Sequence, residues 1–229
     1  IRSPDYESYY FVLSNPDFTN FDIYVSQKED STWSNPQKAF FNSVYDDHGI
    51  SFSLDGNTLY FSSTRPVEQA NVSDTWHLWT SEKANGQWKT PTFIDIPNLR
   101  DQLVSHPSFA DDGTLYFHSS NLDYSDMHLY FAKLENGQFQ DAHKVSFPNE
   151  DKLNKCTPFV ASNGEYLIYA TIEDQLDLWV GFKQERDQWS IPQKFNELIN
   201  QNGQGNPFIT RDHKYLFFTV EKIGIWEIK

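Results

Sequence analysis

The sequence predicts an all-β fold, a five-bladed β-propeller of four-stranded antiparallel blades with the last blade incomplete, and three observations predict it. An apolar, aromatic-rich triplet recurs five times, as Tyr9-Tyr10-Phe11, Leu59-Tyr60-Phe61, Leu115-Tyr116-Phe117, Leu167-Ile168-Tyr169 and Leu216-Phe217-Phe218. The copies start at 9, 59, 115, 167 and 216, so the spacings are 50, 56, 52 and 49 residues. A polar turn precedes each triplet: Ser3-Pro4-Asp5, Asp55-Gly56-Asn57, Asp111-Asp112-Gly113, Asn163-Gly164-Glu165 and Asp212-His213-Lys214. Asp, Asn and Gly tolerate the left-handed backbone angles of tight hairpins. No stretch of useful length has the helical period. Repeats of this length with turns between short strands bury their faces by stacking radially, whereas a β-sandwich needs no near-constant period.

Within each copy the elements follow in a fixed order. An entry strand comes first (Ile50–Ser53, Pro107–Ala110, Pro158–Ala161 and Pro207–Thr210), then the triplet strand. A second apolar run follows, as Ile23-Tyr24, Leu78-Trp79, Leu129-Tyr130, Leu178-Trp179 and Ile225-Trp226, with the alternation and β-favouring residues of a strand. An aromatic fourth strand ends the copy at Trp33, Trp88, Phe139 and Trp189. Recurrence at equivalent sites argues that these rings pack between blades. The repeats divide a single domain, 1–229, at about 1–46, 47–103, 104–154, 155–203 and 204–229. The first copy opens inside its entry strand at Ile1 and the fifth stops after its third strand. Closing the ring without unpaired edges therefore calls for residues before Ile1 to supply the fourth strand of the last blade.

Composition narrows the function classes. The 229 residues carry 18 Lys and Arg against 32 Asp and Glu, a net charge of −14, and 17% are aromatic. Such a surface repels phosphate backbones and anionic lipid, so neither nucleic acid nor membrane insertion is expected. The charge favours a cationic partner or bound Ca²⁺ over an anionic substrate. The single cysteine, Cys156, excludes an internal disulfide and a multi-cysteine zinc site. A monomer is expected. The metalloprotease, nucleophile-elbow, phosphate-loop and EF-hand motifs are absent from the sequence.

The run Ser53-Leu54-Asp55-Gly56-Asn57-Thr58-Leu59-Tyr60-Phe61, the strand Phe21-Asp22-Ile23-Tyr24-Val25-Ser26, and Asn196-Glu197-Leu198-Ile199-Asn200 leading to Pro207-Phe208 resemble the PD40, or WD40-like, β-propeller repeats. Those repeats occur in TolB-like periplasmic proteins, OmpA-associated proteins and prolyl-oligopeptidase propellers. The resemblance spans essentially the whole chain and implies a propeller in a periplasmic or secreted bacterial setting. It says little of activity, because the matching residues are strand and turn positions. No hydrolase domain fits in the remaining residues, which weighs against the peptidases.

Function in a propeller sits at the central channel, whose rim is formed by the starts of the entry strands. Aligning the copies puts Gly49, His106, Thr157 and Asn206 at one level, and His48, Ser105, Cys156 and Gly205 one residue earlier. These groups, with Asp46 and Asp47, form a candidate rim for a polar ligand, against the alternative that they bind rim water and backbone. His48 and His106 are candidate ligands for a divalent metal with Asp46 or Asp47, although no local spacing motif supports them. Arg65 either clamps an anionic ligand or salt-bridges the neighbouring blade. Trp76, without equivalents in other copies and following the long Val67–Thr75 insertion, is the candidate exposed aromatic of a recognition surface. His77 and His128 occupy equivalent positions and read as structural hydrogen-bond formers. The function expected is binding of a protein or carbohydrate ligand at the rim, with no cofactor required. The alternative is a glycosidase-like enzyme or a metal-dependent lyase or hydrolase. A glycosidase needs two carboxylates about 5–9.5 Å apart, and Asp46, Asp47, Asp101, Glu173 and Glu221 are the candidates.

Overall fold

A computed structural model describes residues 1–17, 19–148, 153–185, 188–222 and 225–228, with side chains described up to residue 220. Glu221 and the Ile225-Trp226 pair therefore lie outside the described side chains. The described residues form five antiparallel sheets and no α-helix. The first sheet holds β1 (Ser8–Leu13), β2 (Asp22–Glu29), β3 (Thr32–Trp33) and β4 (Gln37–Lys38). The second holds β5 (Asp47–Phe52), β6 (Thr58–Ser63), β7 (His77–Ala84), β8 (Gln87–Trp88) and β9 (Thr92–Phe93). The third holds β10 (Leu103–Phe109), β11 (Thr114–Ser120), β12 (His128–Glu135), β13 (Gln138–Phe139) and β14 (His143–Lys144). The fourth holds β15 (Asn154–Val160), β16 (Tyr166–Ile172), β17 (Leu176–Phe182) and β18 (Gln193–Lys194), and the fifth β19 (Gln204–Ile209), β20 (Leu216–Lys222) and β21 (Ile225–Ile228). In the first sheet the entry position is held by a bridge between Arg2 and Tyr9.

The core lies between sheets, as a propeller-like arrangement demands. Ile23 and Phe41 of the first repeat meet Phe52, Leu59 and Phe61 of the second, and Leu78 and Ile94 of the second meet Leu115 and Phe117 of the third. Tyr116 and Leu129 of the third meet Leu167, Tyr169 and Trp189 of the fourth. Seven of these side chains are fully buried leucines or phenylalanines drawn from the triplets and second runs. Each is worth about 1.5–3 kcal/mol of burial, so the repeated pattern supplies the main driving force for stacking. Hydrogen bonds lock the stack, with Phe109 N–H donating to Ser51 Oγ (3.1 Å) and Val160 N–H to Ser108 Oγ (2.9 Å).

Two regular irregularities escape the strand reading. The entry strands begin three or four residues before the apolar runs, because each contains a one-residue bulge. The pairing slips between His48 and Ile50, Ser105 and Ser108, Cys156 and Phe159, and Gly205 and Phe208. The outer strand also continues past the aromatic residue: Lys28 pairs with Trp33, and Tyr24 with Lys38. Lys83 with Trp88 and Thr80 with Thr92 repeat this. Pro36 and Pro91, which have no N–H to donate, fall in the interruption.

The recurrent aromatics divide between two uses. Trp189 packs on Tyr116 of the preceding sheet (6.2 Å between ring centroids) and Trp88 stacks on Phe40 (5.9 Å, 16°), as expected for blade-to-blade packing. Trp33 departs from that expectation: it is exposed and leans on Tyr9 of its own sheet.

Candidate functional site

A cavity of about 1100 Å³ runs between the sheets and takes lining residues from all five. Its wall is aromatic, with Tyr9, Phe11, Phe52, Phe109, Phe159 and Phe208 among the rings it exposes.

One end is built by the bulges. Gly49, His106, Thr157 and Asn206 all take the left-handed conformation, with φ of 56°, 55°, 45° and 50°. Glycine does so without strain and asparagine tolerates it, whereas a β-branched threonine must be held there by its surroundings. They are held through the neighbouring sheet. His106 N–H donates to Ser62 Oγ (2.9 Å), Thr157 N–H to His118 Nδ1 (3.3 Å) and Asn206 N–H to Thr157 Oγ1 (3.3 Å). Each bulge thereby turns its residue into the cavity wall. The four residues fall at the register shifts inside the entry strands.

Three imidazoles cluster here, with His48 and His106 in the cavity lining and His118 beside His106. The His48 and His106 rings lie 4.3 Å apart, and His106 and His118 4.9 Å apart at 28°. Ser105 Oγ bridges His48 Nε2 (3.3 Å) and His106 Nδ1 (3.2 Å). Burial holds the His106 pKa down at about 4, against a weaker opposing hydrogen bond from Asn206. Burial, then the neighbouring imidazoles, pushes His48 and His118 well below the usual histidine range. All three are therefore neutral at physiological pH, and His118, accepting at Nδ1, carries its proton on Nε2. Ser105 is buried (1% exposed), and the hydrogen bonds of its hydroxyl among the described residues go to imidazoles, with no described carboxylate completing a nucleophile, base and acid arrangement.

Trp76 requires a correction. It is not an exposed recognition aromatic: it is buried, its ring 3.8 Å from that of His48 and 6.1 Å from that of Phe21, and it closes this end of the cavity. The insertion before it folds back, with Val72 C=O bonded to His77 Nε2 (2.9 Å).

Asp46, Asp47 and Arg65 stand apart from the cavity lining. Asp46 accepts from Phe21 N–H (2.9 Å). Asp47, fully buried, accepts from Arg65 Nη2 (3.0 Å) and from the N–H (2.7 Å) and Oγ (3.0 Å) of Ser43. Arg65 also donates to the Phe41 carbonyl and lies over the rings of Phe61 and Trp79. Neither reading holds as stated: the salt bridge lies within Arg65's own sheet, and the contact with the preceding repeat is the hydrogen bond to the Phe41 carbonyl. Asp101 is engaged by Asn71 Nδ2 (2.6 Å) and Glu173 is exposed in the turn after β16. Among the described residues, no Asp or Glu lines the cavity. Nor do three or more His, Cys, Asp or Glu side chains among them converge to hold a metal, so His48 and His106 gain no third ligand from Asp46 or Asp47. His77 and His128 bond to Val72 and Asp126, as structural histidines do.

The opposite end was missed by sequence reasoning. Arg2, Tyr6, Arg211 and His213 line it. A signal was present for Arg211: the equivalent positions in the other repeats are Pro4, Leu54, Asp111 and Ser162, none of them basic.

No family model and no curated protein matches the sequence. Solved structures do match. TolB from Acinetobacter baumannii superposes with a TM-score of 0.57 at 11% identity, over 97% of this chain and 49% of that one. The GH43 endo-arabinanase from Bacillus licheniformis gives 0.57 at 12% identity, over 97% of this chain and 89% of that one. A periplasmic gluconolactonase from Pseudomonas aeruginosa gives 0.50 at 10%, over 67% of its length. At these identities the likeness shows the fold alone: an all-β, propeller-like chain that resembles TolB in architecture. The chain spans about half the length of TolB and, at 33%, a third of a puromycin-hydrolysing peptidase from Mycobacterium tuberculosis.

Proposed function

We propose that the chain is a five-bladed propeller of PD40 type, placed outside the cytoplasm, that binds a saccharide in its central cavity. The observation that carries this reading is the aromatic-walled cavity of about 1100 Å³ with no carboxylate among its described lining residues. Rings stack on the apolar faces of sugars, while the Thr157, Asn206 and His106 end offers neutral donors and acceptors for hydroxyl groups. A protein ligand docking on the rim alone would leave this wall unused. The setting rests on the PD40-like repeats and on the likeness to a periplasmic gluconolactonase.

The second reading is a glycoside hydrolase, favoured by the likeness to an arabinanase over 89% of that enzyme. It requires an acid and a base or nucleophile at the cavity, and the described wall supplies neither. Thermal melting against a panel of neutral and acidic oligosaccharides tests the first reading, because a ligand that binds only the folded chain raises Tm. Reducing-end release from the same panel tests the second. A Tm rise without product supports binding, product supports the hydrolase, and no shift by any sugar overturns the proposal.

A further inference from the structure

The acidic chain encloses a basic cavity end. Arg2 and Arg211 both line it, and among the described residues neither has a carboxylate within 4.0 Å, whereas Arg65 and Arg100 are paired with Asp47 and Asp95. Arg211 is fixed by two hydrogen bonds, from Nη1 to the Leu54 carbonyl (2.6 Å) and from Nη2 to the Ser53 carbonyl (3.1 Å). These belong to the turn joining β5 and β6, against which Pro4 also packs, 3.3 Å from the β-carbon position of Gly56. Arg2, two residues from Pro4, thus reaches the same end of the cavity as Arg211. Its guanidinium lies over Tyr6 (4.9 Å) and Trp33 (5.5 Å), and its Nε is buried with no hydrogen-bond partner. Asp111 feels the charge of Arg211, although the two form no ion pair within 4.0 Å among the described residues. Two positioned guanidinium groups, facing a cavity whose described wall has no negative charge, are electrostatically complementary to an anion.

We propose that this cavity takes an anionic ligand, and specifically a saccharide carrying a carboxylate that seats between Arg2 and Arg211. The assignment rests on the saccharide-binding reading above and narrows its substrate class. It also reverses the expectation from net charge: the −14 is carried by residues that do not line the cavity, and the described wall is cationic.

The test titrates the intact chain with a uronate-terminated trisaccharide, its neutral hexose counterpart, and citrate, following tryptophan fluorescence or heat. The uronate sugar is expected to bind at least about tenfold more tightly than the neutral one, and its affinity to fall with added salt. Arg211→Gln and Arg2→Gln should each remove that preference, and Arg211→Lys should keep part of it. Lys89→Gln, which removes a surface cation paired with Glu82, should change nothing. Equal binding of acidic and neutral sugars overturns the anion assignment and leaves the saccharide reading standing. Arginine-dependent binding of citrate with no sugar bound upholds the anion site and overturns the saccharide reading. Binding of neither sugar nor citrate overturns both.

Discussion

His106 offers a sharp test of the buried imidazole row. Its folded pKa is held at about 4 by burial, against an ordinary value of 6.5. Above pH 6.5 the group is neutral in both states and contributes no pH dependence. As the pH falls from 6.5 towards 4 the unfolded chain takes up a proton that the folded chain refuses, so stability is lost progressively across that window. At about 1.4 kcal/mol per pKa unit the full loss is about 3 kcal/mol, of which about 2 kcal/mol has accrued by about pH 5, before most carboxylates titrate. His106→Asn removes the titration while keeping the backbone, because asparagine holds the equivalent left-handed position at Asn206, with φ of 50° against 55°. Urea unfolding of both proteins at neutral pH and near pH 5 measures the difference. The wild-type chain should lose about 2 kcal/mol more than the variant over that interval. Part of any excess reflects His48, whose own pKa is lowered secondarily by His106. Equal losses in the two proteins would refute the claim that desolvation keeps His106 neutral in the folded chain.

Other outcomes follow from single contacts. A β-carbon on Gly181 would lie 2.6 Å from Cε1 of Phe147, so Gly181→Ala should cost about 1–3 kcal/mol in chemical denaturation, and Phe147→Leu should restore part of it. Arg65→Met strands the fully buried Asp47 and should destabilise by about 3–5 kcal/mol, whereas replacing both partners with apolar residues should cost less by the same assay. Burial raises the Cys156 thiol pKa to about 12, so a thiol-reactive dye should label the folded chain at neutral pH far more slowly than the urea-unfolded chain.

What the repeats made legible is the stacking. The entry runs, triplets and second runs became the paired β5–β6–β7, β10–β11–β12 and β15–β16–β17 strands, and apolar residues of the triplets and second runs are buried between sheets. A period-2 pattern encodes which face is buried, so strand identity and core membership can be read locally. The repeats also brought Gly49, His106, Thr157 and Asn206 into alignment, although their left-handed conformation was invisible except at the glycine. A histidine or threonine in a bulge is forced there by hydrogen bonds from the next sheet, and no local propensity announces them.

The site was legible only in part, for the same reason. His48 and His106 were found because they fall at repeat-equivalent positions, but His118 lies on a neighbouring strand and joins them through stacking alone. Asp47 and Arg65 looked like rim groups and are instead a buried pair, because burial depends on what the preceding sheet lays over them. Trp76 looked exposed for its uniqueness and is buried against His48. The net charge of −14 pointed to a cationic partner, while the enclosed wall gathers Arg2 and Arg211 from the two ends of the chain. By itself, then, the sequence determined the all-β repeat and its core. Only the tertiary structure decided the charge, volume and lining of the cavity, because those arise where residues about two hundred positions apart converge, and strand periodicity holds no information about such convergence.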